Sequence, residues 1–168
     1  MEEIIDVDKE IKKLVDKLKS HPEIFALNKQ TTKNLKEYFK TNYNCSSFPQ
    51  GFLTFMELTD GVTIGDITLF SINKSVDNYV LQFETYASIA ATKEYLDSIN
   101  TPDKDGLMFF ANDGGGGRFA FNKIEDCDKV YYLSKQRPNV VIIYESFYDW
   151  LKNLVDITIR DRIESLKN

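Results

Sequence analysis

The run Asp113-Gly114-Gly115-Gly116-Gly117-Arg118 is the grouping in this chain best suited to gripping an anion. Successive backbone N–H groups in a glycine turn converge on negative charge, and a neighbouring guanidinium would complete a phosphate cradle. Nucleotide loops of that kind open a helix and are followed by a lysine and a hydroxyl residue. Here the glycines lead into Arg118-Phe-Ala-Phe-Asn122, an alternating strand pattern, and no such pair follows. A turn that shapes a hairpin or touches a partner is the preferred reading over a nucleotide site.

Other reactive side chains are sparse. His21 is the only histidine, so nucleophilic catalysis of the Ser-His-Asp or Cys-His kind would depend on it. It sits beside Pro22 and reads as an exposed linker residue. Cys45 and Cys127 form no CxxC, and would need a carboxylate as well as His21 to make a zinc site. The carboxylate pairs Asp103/Asp105 and Asp126/Asp128 read as parts of an acidic face, because sequence neighbours do not establish the separation across a cleft that glycosidases need. Neither catalytic residues nor a metal or cofactor site is expected.

The elements that position these residues follow from periodicity. Ile4, Val7, Ile11, Leu14 and Leu18 form one apolar stripe on a helix over about residues 3–19, docked on the domain's own core. Thr31 or Thr32 can cap a second helix through Leu35, Tyr38 and Phe39, and a third begins at Pro49 and stops at Asp60-Gly61. A strand buried on both sides covers residues 67–72, with another considered through Val80, Leu81 and Phe83. A helix spans residues 86–99. Two apolar runs, 107–111 and 118–122, flank the glycine turn as a hairpin at the sheet centre. Strands at 130–133 and 140–144 follow, and Ser146, three residues before Asp149, opens a last helix. Strands clustered rather than alternating with helices predict an α+β single domain over residues 1–168, with an antiparallel-rich sheet and helices mainly on one face.

The net charge of −5 argues against direct nucleic-acid binding, which calls for a basic footprint. Charge is uneven: residues 97–128 hold 7 acidic and 3 basic side chains, whereas residues 9–40 hold 9 Lys and 4 acidic ones. The acidic stretch reads first as an ordinary solvated surface, and on the sharper reading as a face able to steer a basic protein partner. The N-terminus carries no basic and apolar leader pattern, no apolar run reaches the ~18 residues of a membrane span, and the unpaired cysteines suit a reducing compartment. A cytoplasmic protein without membrane contact is expected.

Four segments, in order, resemble the SUKH superfamily, which unites fungal cell-wall regulators with many bacterial immunity proteins. They are the proline-initiated helix Phe48-Pro-Gln-Gly-Phe-Leu-Thr-Phe-Met-Glu-Leu-Thr-Asp-Gly61, the strand Gly65-Asp-Ile-Thr-Leu-Phe-Ser71, the glycine hairpin of residues 107–122, and Glu145-Ser-Phe-Tyr-Asp-Trp-Leu151. The resemblance covers about residues 31–155. Arg118 departs from it, standing where the family often has an acidic residue. The resemblance implies an immunity protein that neutralises a toxin domain, such as a nuclease, by stoichiometric occlusion. A regulatory scaffold of the fungal type, or a small-ligand protein using the glycine loop, is the alternative. The expected partner surface comprises Asp103, Asp105, Asp113, Arg118, Glu125, Asp126 and Asp128.

Overall fold

The computed structural model describes residues 3–23, 25–27, 34–73, 83–99, 106–136 and 141–168. Helix α1 spans Val7–Lys19 and is opened by Asp6, whose carboxylate accepts the Lys9 amide at 3.2 Å. Its stripe is shorter than the sequence suggests. Ile11, Leu14, Val15 and Leu18 are buried, but Ile4 lies before the cap and is 96% exposed. The helix docks across Gly51, where a Cβ would come within 2.8 Å of Ile11 and 2.9 Å of Val7. With its φ of +86°, the position suits glycine, and its bare Cα lets the Ile11 and Val7 side chains pack directly on the turn.

Helix α2 (Leu35–Tyr43) is capped by Asn34, whose side chain accepts from Glu37 N at 3.2 Å. Thr31 and Thr32 lie outside the described residues. Helix α3 (Phe52–Leu58) starts after the Pro49–Gly51 turn rather than at Pro49, since Gly51 adopts the left-handed conformation.

Among the described residues seven strands form one antiparallel sheet in chain order: β1 (Phe25–Leu27), β2 (Val62–Ile64), β3 (Ile67–Leu69), β4 (Leu107–Asn112), β5 (Arg118–Asn122), β6 (Val130–Leu133) and β7 (Val141–Tyr144). The hairpin pairing of β4 with β5 is as expected, and it lies inside the sheet. Strands β1 and β2 were not anticipated: three residues are too few to register a period of two. Phe83 stands in a helical turn, α4 (Phe83–Tyr86), and not in a strand. Its amide reaches the Ser71 carbonyl at 2.9 Å and its ring packs edge-on against Phe39 and Phe70. Val80 and Leu81 lie outside the described residues. Helix α5 (Ile89–Ser98) is capped by Ser88.

Helix α6 (Phe147–Lys167) opens on Ser146, which accepts the Asp149 amide at 3.1 Å. It continues through the β-branched Ile157-Thr158-Ile159, where burial of Ile159 outweighs the weak local propensity and Thr158 satisfies its hydroxyl on the Leu154 carbonyl (2.8 Å).

The core lies mainly between one sheet face and α1, α3 and α6. A register shift between Phe109 and Ala111 marks a bulge in β4. Phe110 meets Phe52, Phe147 and Trp150, and Phe119 also reaches Trp150. Phe109 instead packs against Tyr95 of α5, which covers part of the other face.

Candidate functional site

The glycine loop does bind an anion, and the anion is its own Asp113. Asp113 Oδ1 accepts the amides of Gly115 and Gly117, each at 2.8 Å, and Oδ2 accepts the Tyr132 hydroxyl at 2.5 Å. A Cβ on Gly117 would lie 2.2 Å from that hydroxyl and 2.3 Å from Asp113 Oδ2. The Tyr95 hydroxyl closes the turn from the other side, 2.6 Å from the Gly116 carbonyl. Burial pushes the Asp113 carboxyl up, but the Tyr132 hydroxyl and the two amides outweigh it and hold the group below its ordinary value of 3.8. Backbone donors that might have met a phosphate are spent on stabilising a turn.

This arrangement has a pH signature. A carboxyl whose folded pKa is depressed stabilises the fold above its unfolded value, and the contribution is lost as pH falls through the folded one. Tyr132→Phe is expected to cost about 1.5–3 kcal/mol at neutral pH, the worth of a hydrogen bond to a charged acceptor. In urea titrations the gap from the parent protein should narrow once the pH falls below 3.8. A gap independent of pH would mean that Tyr132 acts by packing alone.

Arg118 is equally committed. Its guanidinium lies 4.0 Å from the centre of the Tyr95 ring and 5.4 Å from that of Phe109, and donates to the Tyr86 carbonyl at 2.7 Å. Burial lowers its pKa. An acidic side chain would have no comparable partner among these ring faces. Arg118 thus ties α4 and α5 to the hairpin.

Glu125, Asp126 and Asp128 share the β5–β6 loop, at the opposite end of β5 from Asp113 and Arg118. A five-residue strand separates its two ends by roughly 15 Å. The expected surface therefore divides in two. Asp103 and Asp105 lie outside the described residues.

The β5–β6 loop is held by Asn122, whose Oδ1 accepts the amides of Ile124 and Glu125 at 2.9 Å each. Gly106 makes room for it: a Cβ there would lie 2.1 Å from Asn122 Oδ1. Lys129 pairs with Asp126 at 3.1 Å and lies 3.9 Å from Glu145, which the structure adds to this rim. Lys123 is turned away, donating to the Tyr43 carbonyl at 2.8 Å. Asp128 accepts the Gln50 amide at 3.0 Å and so braces the turn before α3.

The remaining reactive groups are placed apart. His21 lies 3.5 Å from Glu23 at a partly exposed position. Cys45 is buried, and desolvation pushes its thiol up to about 11; burial raises Cys127 as well. Their sulfurs lie near the Ser47 and Phe48 carbonyls. Thiols shifted upwards are poor nucleophiles near neutral pH. Among the described residues no three His, Cys, Asp or Glu side chains are grouped to hold a metal ion, and no helix is long and apolar enough to cross a membrane.

The model of the SMI1 / KNR4 family (SUKH-1) matches residues 32–153. The chain belongs to that family. No curated protein matches it. The SUKH-1 match covers α2 to the first turns of α6 and leaves α1 outside, although α1 is seated on Gly51 within the matched region.

Sequence reasoning missed three organising side chains of this SUKH-1 domain. Asp60 was read only as part of a helix stop, yet its buried carboxylate accepts from the Ser71 hydroxyl (2.7 Å) and from the amides of Ile72 (2.8 Å) and Asn73 (3.1 Å). Its partners lie 11 to 13 residues on, beyond any local pattern. Tyr132 falls within the strand pattern of residues 130–133, and nothing local marks its hydroxyl as the partner of Asp113, 19 residues away. Asn122 carried a usable signal: an Asn at a strand end is suited to bonding backbone amides two or three residues on.

Proposed function

We propose that this SUKH-1 domain is an immunity protein that binds a toxin domain and neutralises it by stoichiometric occlusion, without catalysis of its own. The observation that carries this reading is family membership across residues 32–153. The division of the polar residues is consistent with it. Asp113, Arg118 and Asp60 are used within the fold, whereas Glu125, Asp126 and Glu145 stand in solvent on one rim. A toxin acting on nucleic acid in the cytoplasm would present a basic substrate groove to this rim.

The test is charge reversal. Asp128 is spared because it braces Gln50, so the variant is Glu125→Lys with Asp126→Lys. The reading frames adjoining the gene are cloned, and association with a catalytically inactive form of a toxin domain found there should slow by about tenfold at low salt, the difference shrinking at high salt as exposed charges are screened. An unchanged association rate at low salt would remove the rim from recognition. Failure of the parent protein to bind or protect would favour the regulatory-scaffold reading.

A further inference from the structure

One row of side chains crosses four strands of the sheet. Phe109 pairs with Ala120, Ala120 with Tyr131, and Tyr131 with Ile142. Directly paired residues share a sheet face, so this row lies on the face turned away from Trp150 and α6. At its β4 end Tyr95 of α5 packs on Phe109. At its β7 end Ile142 is 46% exposed and Tyr131 is half-buried.

The exposed end is bordered by charge. Asp126, Glu125 and Glu145 all bear electrostatically on the Tyr131 hydroxyl, opposed by Lys129. Among the described groups that act on that hydroxyl, three carboxylates stand against one ammonium beside an apolar strip. Ile124, on the same loop as two of those acids, is 71% exposed and is held outward by the Asn122 bonds to its own and the next amide. Apolar centres with a polar border that excludes water are where interface affinity concentrates, and a preorganised loop lowers the ordering cost of binding.

We propose that Tyr131, Ile142 and Ile124 are the apolar anchors of the partner surface. Their occupant is a basic protein face that presents an apolar or aromatic side chain between lysines or arginines. A second copy of this chain is disfavoured because it would set one net-negative border against another. The proposal rests on the immunity reading, and it adds that affinity resides in the row while the carboxylates govern the rate of encounter.

The experiment uses the full chain and the inactive toxin domain from the neighbouring reading frame, with kinetics followed by interferometry. Ile142→Thr keeps a strand-forming residue, and Ile124→Ser alters an exposed side chain, so circular dichroism and urea midpoints should stay close to the parent. The double variant should raise Kd about 30-fold, through faster dissociation. Parent-like affinity in a folded double variant would overturn the anchor and leave the immunity reading intact. No binding by the parent protein would overturn both. A concentration-dependent dimer of the parent, lost in Ile142→Thr, would assign the row to self-association and overturn the proposal as well.

Discussion

Gly117→Ala is expected to destabilise the fold by about 3–5 kcal/mol, combining overpacking with loss of bonds to a charged acceptor. The added methyl would fall 2.2 Å from the Tyr132 hydroxyl and 2.3 Å from Asp113 Oδ2. Neither can retreat cheaply, because each is the other's partner and Asp113 also holds the amides of Gly115 and Gly117. The turn must open, and it joins two strands inside the sheet. Gly115→Ala is the matched control: its Cβ would lie in ordinary contact, 3.6 Å from Asp113 Oδ1. Urea unfolding should separate the two variants by several kcal/mol. Equal midpoints would mean that the loop relaxes freely and that its internal carboxylate site is incidental.

Asp60→Ala is expected to cost about 3–5 kcal/mol, the penalty of several buried donors left without an acceptor, less what entering water recovers. Three donors, from Ser71, Ile72 and Asn73, would lose their acceptor at the place where the chain leaves β3. Each buried donor left unsatisfied is worth about 1–3 kcal/mol, although water entering the gap would recover part of the sum. Asp60→Asn should fall between the parent and the alanine variant, because its amide keeps one acceptor oxygen but turns an NH2 towards other donors. A loss below about 1 kcal/mol in Asp60→Ala, read from urea midpoints, would show that the three donors find other acceptors.

Elements with a long or unambiguous local pattern are legible in the sequence. The apolar stripe of α1, the β4–β5 hairpin, β6 and the Ser146 cap are all of that kind. What stayed hidden was short or non-local. Strands β1 and β2 have three residues each, and only pairing within the sheet defines them. The roles of Asp60, Asp113 and Arg118 depend on partners that folding brings to them. Asp113 and Arg118 looked surface-bound because charged residues in a glycine turn usually are. The rim of Glu125 and Asp126 could be read as acidic, but Glu145 and Ile142 joined it only through the pairing of β6 with β7.

The order of the sheet also bears on how the chain emerges during synthesis. Each described strand lies beside its predecessor, so the hairpins β2–β3, β4–β5 and β5–β6 can close as soon as their second arms are free of the ribosome. Helix α6, the part of the inner layer that completes the cover left by α1 and α3, is different, because Phe147 and Trp150 are made after the last strand. Translation runs at about 5–20 residues per second, so Phe110 and Phe119 wait several seconds for their cover. In that interval the nascent chain displays a ready-made aromatic sheet face, and chaperone capture should be strongest just before α6 appears.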